Sequence, residues 1–178
     1  MASTSTRPDA GEVRHHDDVL VMLTSRNLLA LAWYDAPRPG HLVTVLHVVD
    51  ELHRKNGFYG LLNVVVRGTP SFPEQVRQEG RRLIEETTGW GGVTAHVMEV
   101  EGFAGTATRM FLSTMMLLGR GRSSNAQFFG THRDGCAWLG PRLSKPERPW
   151  SAAELERVYA DLRAIAPRPA TRRPAAGS

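Results

Sequence analysis

From Val19 to Ile165 the hydrophobic positions alternate between two periods, one of strands and one of helices. Val19–Thr24 and Leu28–Tyr34 are apolar runs separated by Ser25-Arg26-Asn27, the pattern of an antiparallel hairpin. His41–Lys55 then places Leu42, Val45, Leu46, Val49 and Leu52 at helical spacing, and Asn56-Gly57 supplies a left-handed residue to end that helix. Tyr59–Arg67 is almost continuously apolar and rich in valine, as a strand covered on both faces requires.

The alternation continues. Ser71 and Glu74 form an S-x-x-E capping box ahead of a helix whose inner stripe is Val76, Gly80, Leu83 and Ile84, ending at Gly89. Val93–Glu101 reads as a strand, Ala104–Leu118 as a helix, Gly119–Ser124 as a polar loop and Asn125–Gly130 as a strand. Thr131 can cap a short helix through Leu139. A final helix, Ala152–Ile165, has a second capping box, Ser151 with Glu154. Its staple is Trp150 with Leu155, and its single apolar stripe runs Leu155, Val158, Tyr159, Leu162 and Ile165. Two antiparallel strands followed by helix–strand alternation predict one α/β domain, of two or three layers, with about five mostly parallel strands and an added C-terminal helix.

The expected organisation is a disordered tail over 1–18, an α/β domain over 19–140, a linker and docked helix over 141–166, and a disordered basic tail over 167–178. At 178 residues the chain is long enough for one real core. The net charge of +4 resides in residues 141–178, where eight Lys/Arg face four Asp/Glu. That basic end reads either as a solubilising terminus or as an aid to nonspecific contact with acidic surfaces; nothing points to a specific nucleic acid. No apolar run reaches the ~20 residues of a membrane span, and residues 1–18 lack the apolar stretch of a secretory signal. With a single cysteine, Cys136, the chain has no intrachain disulfide, which fits the cytoplasm.

The order of elements resembles the STAS (sulfate transporter and anti-sigma-factor antagonist) fold, and more narrowly the SpoIIAA-like or STAS/SEC14 group of small bacterial proteins. The residues that carry the resemblance are Leu61-Leu62-Asn63-Val64-Val65-Val66, and Phe128-Phe129 followed by Ala137-Trp138-Leu139. It spans about residues 19–140 and implies a regulatory module that binds a protein, or on the SEC14 side a carrier of an apolar, lipid-like ligand. Regulatory members present a phosphorylatable serine in an Asp-Ser-Ser-Gly type turn after the third strand. Here that place reads Arg67-Gly68-Thr69-Pro70-Ser71, so the phosphosite does not carry over.

Chemistry-bearing motifs are sparse. His132-Arg133-Asp134 lacks the asparagine, the glycine-rich loop and the lysine strand of a kinase. Gly119-Arg120-Gly121-Arg122 lacks a Walker lysine and follows a helix instead of preceding one. His41, His47 and His53 are spaced by six, which puts them on different helix faces, and His15-His16-Asp17-Asp18 offers only a weak ligand set. Cys136, flanked by Gly135 and an apolar triplet, reads as a buried small hydrophobe. No catalytic residue, metal site or cofactor is expected.

The helix Ala104–Leu118 stands out. At ~100° per residue, Phe103, Ala107, Met110, Phe111 and Leu118 share one side, while Leu112 and Met116 lie nearly opposite and Met115 on the flank. Only Thr106, Arg109 and Ser113 make a polar stripe. Either the terminal helix covers the second apolar side, or it is a subunit interface, or it lids an apolar pocket. The expectation adopted is an interface through Leu112, Met115 and Met116, with a protein partner or a second copy; an apolar ligand is the alternative, and an enzyme of unrecognised class the third.

Overall fold

The computed structural model describes residues 11–67, 72–100, 110, 125–165 and 167. Within them six strands form one mixed sheet: β1 Glu12–His16, β2 Leu20–Ser25, β3 Leu28–Trp33, β4 Gly60–Val65, β5 Val93–Met98 and β6 Ala126–Phe129. The strands lie side by side in chain order. β1 and β3 run antiparallel to β2, and β3 through β6 are mutually parallel. Four helices accompany them: α1 His41–Asn56, α2 Glu74–Thr87, α3 His132–Leu143 and α4 Ala152–Ala164.

The expected hairpin forms, with Leu20 opposite Trp33 and Ser25 opposite Leu28. Its turn is Arg26-Asn27, with Arg26 left-handed at φ 55°. β4 lies inside the sheet between β3 and β5, as its valine-rich run predicts. The fifth-strand expectation falls short by one, because Glu12–His16, taken as part of a tail, pairs with β2 as an edge strand. Its residues are largely polar and half-exposed, so burial gave no apolar signal; backbone pairing alone makes it a strand.

Two cores lie on opposite faces, which makes three layers. Leu20, Met22, Leu29, Leu31, Trp33 and Tyr59 meet α1 through Val45, Val48, Val49 and Leu52, with α2 alongside. Val21, Leu23, Ala30, Ala32, Leu62 and Val64 meet α3 and α4 through Cys136, Leu139, Leu143, Leu155 and Leu162. On β3 the small residues Ala30 and Ala32 face the α3/α4 side, which lets α4 approach the sheet there, while Leu29, Leu31 and Trp33 fill the other layer.

The helix ends follow local chemistry with two exceptions. Gly57 caps α1 at φ 79°, its N–H bonded to the His53 carbonyl. The Ser151–Glu154 capping box closes α4, and Trp150 and Leu155 are both buried at its start. However, α2 begins at Glu74 rather than at a Ser71 cap. Phe72 precedes Pro73, and a residue before proline is disfavoured from helical backbone. The Glu74 carboxylate instead pairs forward with Arg77 at 2.6 Å and Arg81 at 2.9 Å. Ser71 lies outside the described residues. The helix expected to stop at Leu139 runs to Leu143 through Pro141. Pro141 removes only one donor in the last turn, and burial of Leu143 one turn beyond Leu139, both fully enclosed, holds the helix together.

Candidate functional site

The ends of the parallel strands, where α/β proteins place their chemistry, carry two polar assemblies. The first joins the β1–β2 turn to the start of α1. Asp17 Oδ1 accepts the Val19 and Leu20 N–H groups, both at 2.7 Å. Its Oδ2 accepts from His15 Nε2 at 3.0 Å and His41 Nε2 at 2.9 Å. Beside it, Arg38 grips Asp18 in a two-pronged pair. Partial burial pushes the Asp17 pKa up, but the bonds from Leu20, His15, Val19 and His41 outweigh it and hold the carboxyl well below the usual carboxylate range.

Ligand atoms of His15, Asp17 and His41 all lie within 4.8 Å of one another, the composition of a two-histidine, one-carboxylate metal site. The hydrogen bonding does not suit a cation. His41 Nδ1 accepts the Arg38 backbone N–H at 3.1 Å, so the ring's single proton sits on Nε2. A neutral imidazole has one acceptor nitrogen, and this one is spent on the backbone; metal-ligating histidines normally donate from that position. The trio acts as a clasp that ties β1, β2 and α1 together. Helical spacing alone had separated His41 from the other histidines of α1; what it missed is that the β1–β2 turn comes to meet it.

The second assembly lies on the α3/α4 face. Tyr159 donates its hydroxyl to the Glu99 carboxylate, and Arg163 lies 3.4 Å from the same carboxylate. Arg163 also donates to the Tyr34 hydroxyl at 3.2 Å, and Arg67 donates to the Tyr34 carbonyl at 3.1 Å. His132 stacks flat on Tyr159, the rings 4.0 Å apart and 5° from parallel. Burial first, then Glu99, pushes the Tyr159 hydroxyl up to about 12, so it stays protonated as a donor. Of the kinase-like triplet, His132 packs α3 on α4, Asp134 bonds Thr131 at the start of α3, and Arg133 is exposed.

The other described residues singled out by the sequence lie outside these two assemblies. Cys136 is fully buried, and that burial, with a smaller contribution from Glu156, pushes its thiol up to about 12. His53 stacks on Trp90 at 4.8 Å, and His47 faces solvent. Leu112, Met115 and Met116, the expected interface, lie outside the described residues, as do Gly68–Ser71 and the Gly119–Ser124 loop. Met110 is described, and it corrects the helical-wheel reading. It was placed on the core side with Phe103 and Phe111, yet it is 66% exposed. A wheel gives relative angles only; which side turns inward is set by the neighbours it packs on.

Compared with known proteins, the chain matches no family model, and no curated protein is detectably similar to it.

Proposed function

We propose that this chain is a STAS-like, cytoplasmic binding module that acts by protein–protein contact, foremost with a second copy of itself, and not by catalysis. The observation that carries the reading is Met110. It is a large apolar side chain 66% exposed, within a stretch, 103–118, whose composition is apolar almost all the way round. Methionine-rich surfaces suit adaptable contacts. An isologous contact buries such a stripe against its own equivalent, and two-fold dimers are the commonest assemblies.

Support against catalysis comes from how the reactive groups are employed. Cys136 and Tyr159 are held in protonated, unreactive form, and Asp17 is saturated by four hydrogen bonds. The hairpin followed by parallel helix–strand units is in keeping with the STAS resemblance.

Sedimentation across a concentration series tests the proposal. Association is expected for the wild type, with Met110→Glu giving a folded monomer, because a carboxylate left unpaired in a contact is costly; Met116, nearly opposite Met110 on the helical wheel, belongs to the contact only if Met116→Glu also gives a folded monomer. A wild type that stays monomeric at high micromolar concentration overturns it. Native mass spectrometry that finds a copurified lipid instead makes 103–118 the cover of an apolar ligand.

A further inference from the structure

The connection between β3 and α1 sits at the carboxyl end of the parallel strands, the end where α/β domains receive ligands. Residues 38–40 are exposed and 36–37 half-buried, so little apolar burial holds the connection in place. Pro37 and Pro39 have no N–H, which leaves Ala36, Arg38 and Gly40 as its backbone donors. Each donor is taken by a side chain. Asp35 Oδ1 accepts the Ala36 N–H at 2.8 Å, His41 Nδ1 the Arg38 N–H at 3.1 Å, and Glu79 of α2 the Gly40 N–H at 2.9 Å. Of these acceptor types, only imidazole ordinarily changes charge between about pH 5 and 8.

We propose that His41 is a proton-operated latch on this connection: a second proton on its ring releases the Arg38 N–H and loosens residues 36–40, while the contact with Asp17 stays closed. A neutral imidazole has one acceptor nitrogen, and His41 uses it for Arg38 while Nε2 donates to Asp17 at 2.9 Å. In the imidazolium both nitrogens donate, so Nδ1 then meets the Arg38 N–H donor to donor. The Nε2 contact becomes a charge-assisted bond, stronger than its neutral form. One proton therefore acts in opposite directions at the two sides of the ring.

The surroundings of His41 supply both signs of charge. The ring is buried, and it faces His15 of β1 at 5.6 Å and the uncharged Trp33 ring of β3 at 5.9 Å. Asp17 in the β1–β2 turn stays ionised and attracts a positive ring, whereas the start of α1 repels one. Asp18 is neutralised by the Arg38 guanidinium, on which Asp35 also acts, and Glu79 approaches from α2. The Arg38–Asp18 pair does not depend on His41, so the connection loosens without coming away.

Nitrogen-15 NMR of the full chain from about pH 8 to 5 tests this. At the alkaline end His41 is expected to carry its proton on Nε2. On acidification the protection of the Arg38 amide against exchange with water, corrected for the intrinsic pH dependence of exchange, is expected to fall about ten-fold or more as His41 charges. The Val19 and Leu20 amides, held by Asp17, are expected to keep theirs. His41→Asn, which retains an acceptor near the Nδ1 position and takes up no proton, is expected to abolish the response, and His15→Gln to leave it. The proposal is overturned if His41 carries its proton on Nδ1 at the alkaline end, stays neutral down to about pH 5, or charges with no change at Arg38. It is also overturned if the response survives in His41→Asn, or is lost in His15→Gln, which would make His15 the sensor. Should either variant unfold, the wild-type titration decides, since it reads His41 and Arg38 separately.

Discussion

The Trp33 indole donates to Asn63 Oδ1 at 2.8 Å inside the sheet, and the amide of Asn63 passes the contact on to His96 Nδ1, also at 2.8 Å. Three neighbouring strands, β3, β4 and β5, are thus linked side chain to side chain within the layer under α1. Phe128 of β6 extends the row by stacking on His96 at 4.9 Å. Buried polar groups persist when their partners are supplied in this way, and such networks fix register.

His96 must stay neutral to accept from Asn63, and burial pushes its pKa down to about 4 from 6.5. The unfolded chain therefore takes up a proton that the fold refuses. Stability is complete above about pH 6.5, falls as pH drops toward 4, and levels off below it, by about 3 kcal/mol from this group. Urea unfolding at a series of pH values measures the slope. His96→Gln, which keeps an acceptor for Asn63, is expected to flatten it; an unchanged slope would assign the dependence to other groups.

The Asp17 clasp predicts a graded response. Asp17→Ala removes the acceptor of two backbone N–H groups and two histidines and is expected to cost about 1–3 kcal/mol. Asp17→Asn retains one carbonyl oxygen for the Val19 and Leu20 N–H groups and is expected to cost less. Because the folded carboxyl titrates below its usual range, its stabilisation is present above about pH 4 and is lost as the pH falls further. Denaturant melts of both variants at neutral pH check the ranking; equal losses would mean that the histidine contacts dominate.

The last helix is expected to be part of the core. Trp150, Leu155, Val158 and Leu162 are buried, and the Trp150 indole bonds Asn27 Oδ1 at 2.9 Å, pinning the β2–β3 turn. Leu155→Ala is expected to cost about 2–5 kcal/mol. Truncation before Trp150 removes several such residues, each contributing about 1.5–3 kcal/mol when fully buried. Removing Pro167–Ser178, which has no apolar stripe to dock, is expected to leave the melting temperature unchanged. Thermal melts of the two truncations separate the cases, and equal melting temperatures would refute a docked helix.

Much of the architecture was legible because local physics writes it into the chain. Alternating apolar runs specify β2 and β3, a continuous valine-rich run marks β4 as interior, and Ser151–Glu154 and Thr131 announce the starts of α4 and α3. Those signals act within a few residues, so sequence suffices. Tertiary structure decided what depends on neighbours far along the chain. β1 is a strand because β2 offers it a ladder, although its side chains are polar. Leu143 extends α3 past Pro141 because a core receives it. His41 joins Asp17, and Lys145 reaches the Asn56 carbonyl at the end of α1, only once the sheet brings distant segments together. Met110 makes the point most plainly: helical periodicity fixes the angles between residues, whereas the direction a face turns is set by what packs against it.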